Sequence, residues 1–369
     1  MMTVKEKSCD EEPDRKRSKY SEGYAAKDFK LSSVKKVFVL AVTKTVENHH
    51  NLSTILENLG LDAIDFGYSA DLKMVAIICG KQNASSKHPC PWCDGSAPWT
   101  TPSSPTTIGS LWSCYHKWIS NGADKSKAME FGNVIYKPLL TGDNDVLICD
   151  IFNIPELHIL TGVTGKLVQE LERKAFKTPE EGKDFMNAWL KKKGVRRCVY
   201  QGSASFEGNQ ADKLLKSVDS LEQAVLHETS PEVIIMALPF TQALRLFRKV
   251  CVACFGQSLD PNYTTYIQEF MASYRGLGIS IPLKVFFIKS MLMDFFSHSY
   301  QVHLLETHVS EFLKSKGEVA GLGFWSEQSM ESCHHDFKLE MENDKISEES
   351  PEYLDKLKRT VVRYNGKHV

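Results

Sequence analysis

Two cysteines set three apart in a stretch that cannot be helical carry the clearest chemistry in this chain. In "KHPCPWCDG", residues 87–95, Cys90 and Cys93 are bracketed by Pro89, Pro91 and Trp92. Proline fixes φ and lacks an amide hydrogen, so the segment favours a tight turn that points both sulfurs to one side. That geometry suits a zinc knuckle, and a redox pair at a helix start fits the same spacing. A tetrahedral metal needs two further ligands, and none lies nearby in the sequence. The candidates stand about 210 residues on, in "YQVHLLETHVSEFLKSKG", where His303 and His308 form an HxxxxH pair near a helix start. A Cys2His2 site built from these four residues would staple two distant segments together. A solvated pair of helical histidines is the alternative.

A second CxxC, Cys251 and Cys254 in "LFRKVCVACFG", lies in an apolar helical run, where small thiols pack as hydrophobes. Among the acids, Asp71 follows the strand-like "LDAIDFGYS" where the chain turns into a helix, and Glu331 lies near the start of a late helix in "GFWSEQSMESCHHDFK". Two acids at element ends on separated segments are what a two-metal phosphoryl-transfer site requires, because its divalent ions must be clamped by oxygen ligands on rigid elements. With 46 acidic residues in the chain, this pair is weakly specified.

These residues must be positioned by the elements around them. Residues 1–33 are polar and without periodicity, and read as a disordered leader. "VKKVFVLAV" (34–42) reads as a buried strand, "VENHHNLSTILENLG" (46–60) as a helix closed by Gly60, "LDAIDFGYS" as a second strand and "ADLKMVAIICG" as a short helix ending at Gly80. This opening has an α/β pattern. A Ser/Thr/Pro-rich loop with few apolar groups, "SAPWTTPSSPTTIGS", precedes the helix-like "SLWSCYHKWISNG". Beyond it, helical periodicity runs over 180–193, 208–227, 231–255, 263–276 and 284–315, and one more amphipathic helix ends the chain. No internal repeat is present.

Taken in order, the motifs resemble the catalytic core of the V(D)J recombination-activating recombinase and the related Transib-like DDE transposases. "YSADLKMVAIICGKQNASSKHPCPWCDG" resembles the family segment in which the second catalytic aspartate precedes a CxxC zinc pair at this spacing. "VHLLETHVSEF" looks like its HxxxxH zinc pair, and "WSEQSMESCHHDFK" like its final SExxxES motif, whose second Glu is catalytic. Weaker similarities are "CDIFNIPELHILTG", with His158 at a helix start, and "FEGNQADKLLKSVD". The resemblance spans about residues 34–340. It implies structural Zn2+ on Cys90, Cys93, His303 and His308. It implies catalytic Mg2+ or Mn2+ on Asp71 and Glu331, with Glu327 as a neighbour. The fold it implies is α/β plus a large α part: an RNase H-like core over 34–95, truncated at its first strands and carrying the zinc knuckle. A mostly helical insertion over 96–315 interrupts that core, and 316–369 returns as its helical part with the catalytic Glu. The implied activity is metal-dependent DNA cleavage and strand transfer. The implied partners are DNA and a second copy of the chain, and the location is nuclear.

Two departures accompany the resemblance. The family has a third, first-strand aspartate; Asp10 in "KSCDEE" lies in the polar leader, so the missing strand is expected upstream of Met1. In addition, "VFFIKSMLMDFFSHSYQ", about 286–301, reads as an insertion before the histidine pair. The sequence therefore leaves two function classes: a DDE-type recombinase, if the first acid is supplied, or a non-catalytic zinc-stabilised DNA-binding or interaction protein descended from one. A thiol oxidoreductase using Cys90 and Cys93 is a third.

Composition narrows the field. The chain has 369 residues, 42% hydrophobic and 25% charged, as in a globular protein with a buried core. Its 45 basic and 46 acidic residues give a net charge of −1. No global field draws it to nucleic acid, and contact with phosphates would rest on local patches. The candidates are Lys191, Lys192, Lys193, Arg196 and Arg197, and Arg245, Arg248 and Lys249. No apolar leader or membrane-length run is present, so no membrane partner is expected, the ten cysteines are read as thiols and metal ligands, and "DRKRSK" is a candidate nuclear address.

Overall fold

A computed structural model describes residues 3–6, 46–59, 66–82, 86–96, 99, 102–200, 203–279, 300–325, 328–343 and 350–366. The protein is built around one long helix. In α5 (Glu156–Lys174), Ile159, Val163, Leu167 and Leu171 recur every four residues and are all fully buried. Removing such side chains from water contributes about 1.5–3 kcal/mol each. Thr178 starts the next helix, α6 (Pro179–Lys193), by accepting from Glu181 N at 3.2 Å, and Gly194 ends it at φ +63°. Around α5 pack α6, α7 (Gly208–Lys216) and α9 (Pro231–Val250); α8 (Val218–Glu228) and α10 (Tyr263–Gly276) then pack on α9. Inside α9, Pro239 removes one ladder hydrogen bond, and its ring lies on the exposed face, where water can satisfy the freed carbonyl. The helix widens into a π-turn at Cys251–Phe255.

Ahead of this body lie α1 (His49–Leu59), α2 (Leu72–Ile78), α3 (Ile108–Ser120) and the single turn α4 (Ile148–Ile151). Behind it, residues 300–303 are helical, a second π-turn covers Leu304–His308, and α11 (Val309–Ser315) and α12 (Leu322–Trp325) follow. One hydrophobic core runs through all of these parts, from Leu52 to Leu322. Two helices, α13 (Gln328–Asn343) and α14 (Tyr353–Gly366), form a hairpin with its own small core of Phe337, Leu357 and Tyr364.

The α/β expectation is overturned. Among the described residues, 67% are helical and 4% lie in strands. Its described strands make two antiparallel pairs: β1 (Thr3–Glu6) with β2 (Phe66–Ser69), and β3 (Cys198–Tyr200) with β4 (Ser203–Ser205). An RNase H-like core needs a multi-stranded sheet to carry its acids, and a two-stranded ribbon has no interior strand to do so. β2 does lie within the strand read from "LDAIDFGYS", but its partner is Thr3–Glu6. These four residues are thereby corrected from disordered leader to strand. The strand expected at 34–42 and most of the segment 286–301 fall outside the described residues, as do Asp10 and Glu327.

Candidate metal centre

The knuckle is held in place before any ligand is considered. Trp92, 2% exposed, donates its indole N–H to Phe152 O at 3.3 Å, and Thr106 N donates to Trp92 O at 2.9 Å. Cys93 forms a β-bridge with Pro105, and Asp94 exchanges bonds with Ser104, N to O at 3.0 Å and Ser104 N to Asp94 Oδ1 at 2.7 Å. Lys81 is buried beneath and donates Nζ to His88 O (3.1 Å) and Gly132 O (3.2 Å). Burial lowers its pKa, and the nearby cysteines, Cys90 foremost, oppose that. The cysteines thus stand in a pinned turn rather than at a helix start, which removes the structural premise of the thiol oxidoreductase.

The histidines reach the knuckle through an irregularity in their helix. At about 100° per residue, an α-helix turns roughly 500° over five residues, which would leave His303 and His308 about 140° apart. The π-turn Leu304–His308 has a wider pitch, with i to i+5 hydrogen bonding, and returns His308 to the face of His303. The two rings lie 5.0 Å apart, nearly perpendicular. Gly162 on α5 lets this segment approach: a Cβ there would collide with the side chain of Gln301, two residues before His303.

All four side chains are buried and their donor atoms lie within 4.8 Å of one another. Cys90 Sγ is 3.4 Å from His308 Nε2, and Cys93 Sγ is 3.4 Å from His303 Nε2. Zinc–sulfur and zinc–nitrogen bonds of about 2.3 and 2.05 Å at a tetrahedral angle put S and N roughly 3.5 Å apart, so the donor set fits a zinc-like metal ion. The far nitrogen of each ring is also held. His308 Nδ1 faces Glu311 Oε2 at 3.1 Å, and His303 Nδ1 faces Thr307 Oγ1 at 3.3 Å, which presents both Nε2 atoms to the sulfurs. Gly95 N donates to Cys93 Sγ at 3.4 Å. The hydrogen bond from Cys90, then those from the two imidazoles, draw Cys93 far below the ordinary thiol range, while burial pushes Cys90 up. Burial lowers His303. In His308 the hydrogen bonds to Cys93 and Glu311 outweigh burial and raise it.

The other expected site residues lie elsewhere. Asp71 is the N-cap of α2 and accepts from Met74 N at 2.7 Å; it also lies near the half-buried His158, whose pKa desolvation lowers against the pull of Asp71. Glu331 lies on α13, and its side chain is outside the described residues. Cys254 is buried and Cys251 half-buried in the π-turn, and burial raises both thiols, as their packing role requires. Of the basic groups, Arg197 pairs with Glu172, Lys192 with Glu228, and Arg245 with Asp219 and Glu222. Lys191, Lys193, Arg196, Arg248 and Lys249 have no ion pair among the described residues. Lys81, Trp99, Thr307 and Glu311 are the site residues that sequence reading misses; only Glu311, one turn past His308, carries a spacing signal. No protein-family model and no curated protein matches the chain.

Proposed function

We propose that this chain is a non-catalytic, zinc-clamped DNA-binding or interaction protein descended from the recombinase and transposase family its motifs resemble. The observation that carries the reading is the convergence of Cys90 and Cys93 with His303 and His308 into one buried donor set. Two thiolates and two imidazoles in a tetrahedral array favour zinc, and four protein ligands leave no position for a reacting water. Such a metal is a fastener. It supplies folding free energy by joining the knuckle to the helical body. Asp71, assigned to catalytic Mg2+ or Mn2+ by the resemblance, already uses a carboxylate oxygen to cap α2. The scaffold that would align it with Glu331 is replaced by a two-stranded ribbon.

DNA is the partner the cations favour. A cleft of about 350 Å³ beside the π-turn Cys251–Phe255 is lined by three cations, Arg245, Arg248 and Lys249, and by two acids, Asp219, which pairs with Arg245, and Asp260. Its two unpaired cations offer contacts to phosphate without base reading. Nuclear location and self-association as a dimer belong to the same reading. The test combines metal analysis with duplex binding and nicking. The expected result is one zinc per chain, binding that weakens with salt and with Arg248→Glu/Lys249→Glu, and no Mg2+-dependent nicking. Nicking by the native chain that Glu331→Ala abolishes would overturn the non-catalytic reading. Absence of stoichiometric zinc would overturn the clamp.

A further inference from the structure

One aromatic residue at the metal centre has an arrangement that neither the fold nor the ligand set requires. The Trp99 ring lies flat on the His303 imidazole, with centroids 3.8 Å apart and planes 7° from parallel, and continues toward Tyr300 at 6.1 Å and 20°. Its backbone sits at φ +67°, a region a bulky side chain occupies only under strain. Its buried indole N–H meets no acceptor among the described residues. One backbone bond, Trp99 N to Ser96 O at 2.8 Å, anchors it locally. The residue therefore sacrifices both backbone comfort and its hydrogen bond, and what it gains is the stack. Gly95 makes room for this: a Cβ there would lie 3.1 Å from Cys93 Sγ and 3.3 Å from Trp99 Cζ3, so the indole edge and the sulfur meet over a residue with no side chain. On the other side Trp92 flanks His308 at 6.5 Å.

We propose that Trp99 is the cover of the metal centre, a positioning residue that clamps His303 by its ring face and closes the approach of water, chelators and oxidants to Cys93. This rests on the zinc reading above. Ring stacking fixes the imidazole plane, so that Nε2 stays directed at the metal when thermal motion would otherwise swing it away. Outer groups that orient a ligand typically change metal affinity by about 10–100-fold, and a cover adds a kinetic barrier to exchange.

The test uses the full-length zinc-loaded protein and 4-(2-pyridylazo)resorcinol as the acceptor of released zinc, followed by its absorbance. Trp99→Leu should still bind one zinc per chain with its thermal midpoint little changed, yet release it about tenfold or more faster. Trp99→Phe, which keeps a stacking face, should stay within about threefold of the native rate. The Co2+-substituted Leu variant should show shifted d–d bands. Should Trp99→Leu fail to fold, Trp99→Met, which keeps the bulk without a stacking face and leaves the contacts of Cys93 alone, asks the same question and should also accelerate release. Stoichiometric zinc with release rates equal in the native chain and in the Leu or Met variant overturns the cover alone. A native chain that holds no zinc overturns both the cover and the zinc reading.

Discussion

Cys93 and His303 stand 210 residues apart in the chain and 3.4 Å apart in space, Sγ to Nε2. On the zinc reading, a contact of that reach between two buried residues that both suit a soft metal would make a large part of the fold depend on one ion. Cys93→Ser should lose stoichiometric zinc, and its thermal midpoint should fall to that of the native chain treated with chelator. With free zinc held at a thousand times Kd, binding contributes about 4 kcal/mol, so the loaded native chain should exceed both by roughly that amount. Scanning calorimetry alongside metal analysis measures it. A serine variant that keeps one tightly held zinc would remove Cys93 from the ligand set.

The π-turn at Leu304–His308 makes a prediction about spacing. Deleting Glu306, which is exposed, leaves the histidines four apart, about 40° from one another on a regular helix, so metal binding should survive. The lost pair with Arg275 is exposed and of small consequence. Inserting an alanine after Glu306 should abolish binding. Cobalt titration read by its tetrahedral d–d absorption distinguishes the two; loss in the deletion variant would show that the widened turn does not set the ligand geometry.

These two results bear on how much of the protein is legible in its sequence. The four ligands are readable because cysteine and histidine announce their chemistry, and prolines beside Cys90 forbid the alternative helix. Most of the helical body is readable from the periodicity over 180–193, 208–227, 231–255 and 263–276; the central α5 falls outside those segments, although Ile159, Val163, Leu167 and Leu171 repeat at the period of a helix. Residue type says nothing about a π-turn, since Leu304 to Thr307 would suit an α-helix equally well. Strand partners are likewise hidden: the apolar, aromatic run ending in Phe66–Ser69 indicates a strand, while its pairing with Thr3–Glu6 depends on tertiary packing. Trp99 is lost to reading for a different reason. It lies among Ser, Thr and Pro, where composition argues for a solvated loop.

A charged cluster inside α5 sets a pH dependence. Glu170, 3% exposed, accepts from Lys166 Nζ at 2.7 Å and from Arg173 at 2.6 Å. Burial alone would raise its carboxyl, but the hydrogen bonds from Arg173 and Lys166 prevail and hold it below the ordinary 4.5. A depressed carboxyl pKa contributes stability that is complete above the unfolded value and is lost as pH falls through the folded one. Glu170→Ala should therefore cost roughly 3–5 kcal/mol at neutral pH, by removing the buried carboxylate that Lys166 and Arg173 share, and the gap to the native chain should narrow as pH falls below the ordinary carboxyl value of 4.5. Urea denaturation across that range is the measurement; a gap independent of pH would contradict it.

Gly162 links the central helix to the ligand-bearing segment. Its substitution by alanine should destabilise the chain by roughly 1–3 kcal/mol, because the methyl and the Gln301 amide claim the same space. Truncating Gln301 to alanine in the same chain should recover most of the loss. Additive effects in this double-mutant cycle would place the strain elsewhere.

The long reach of the clasp also has a meaning in time. At roughly 5–20 residues per second of synthesis, the 210 residues between Cys93 and His303 correspond to about 10–40 seconds. For that interval the nascent chain displays two cysteines whose completing imidazoles do not yet exist. On the zinc reading proposed above, an ion captured early would be held by half a site, and its full coordination would wait until the segment carrying His303 and His308 docks.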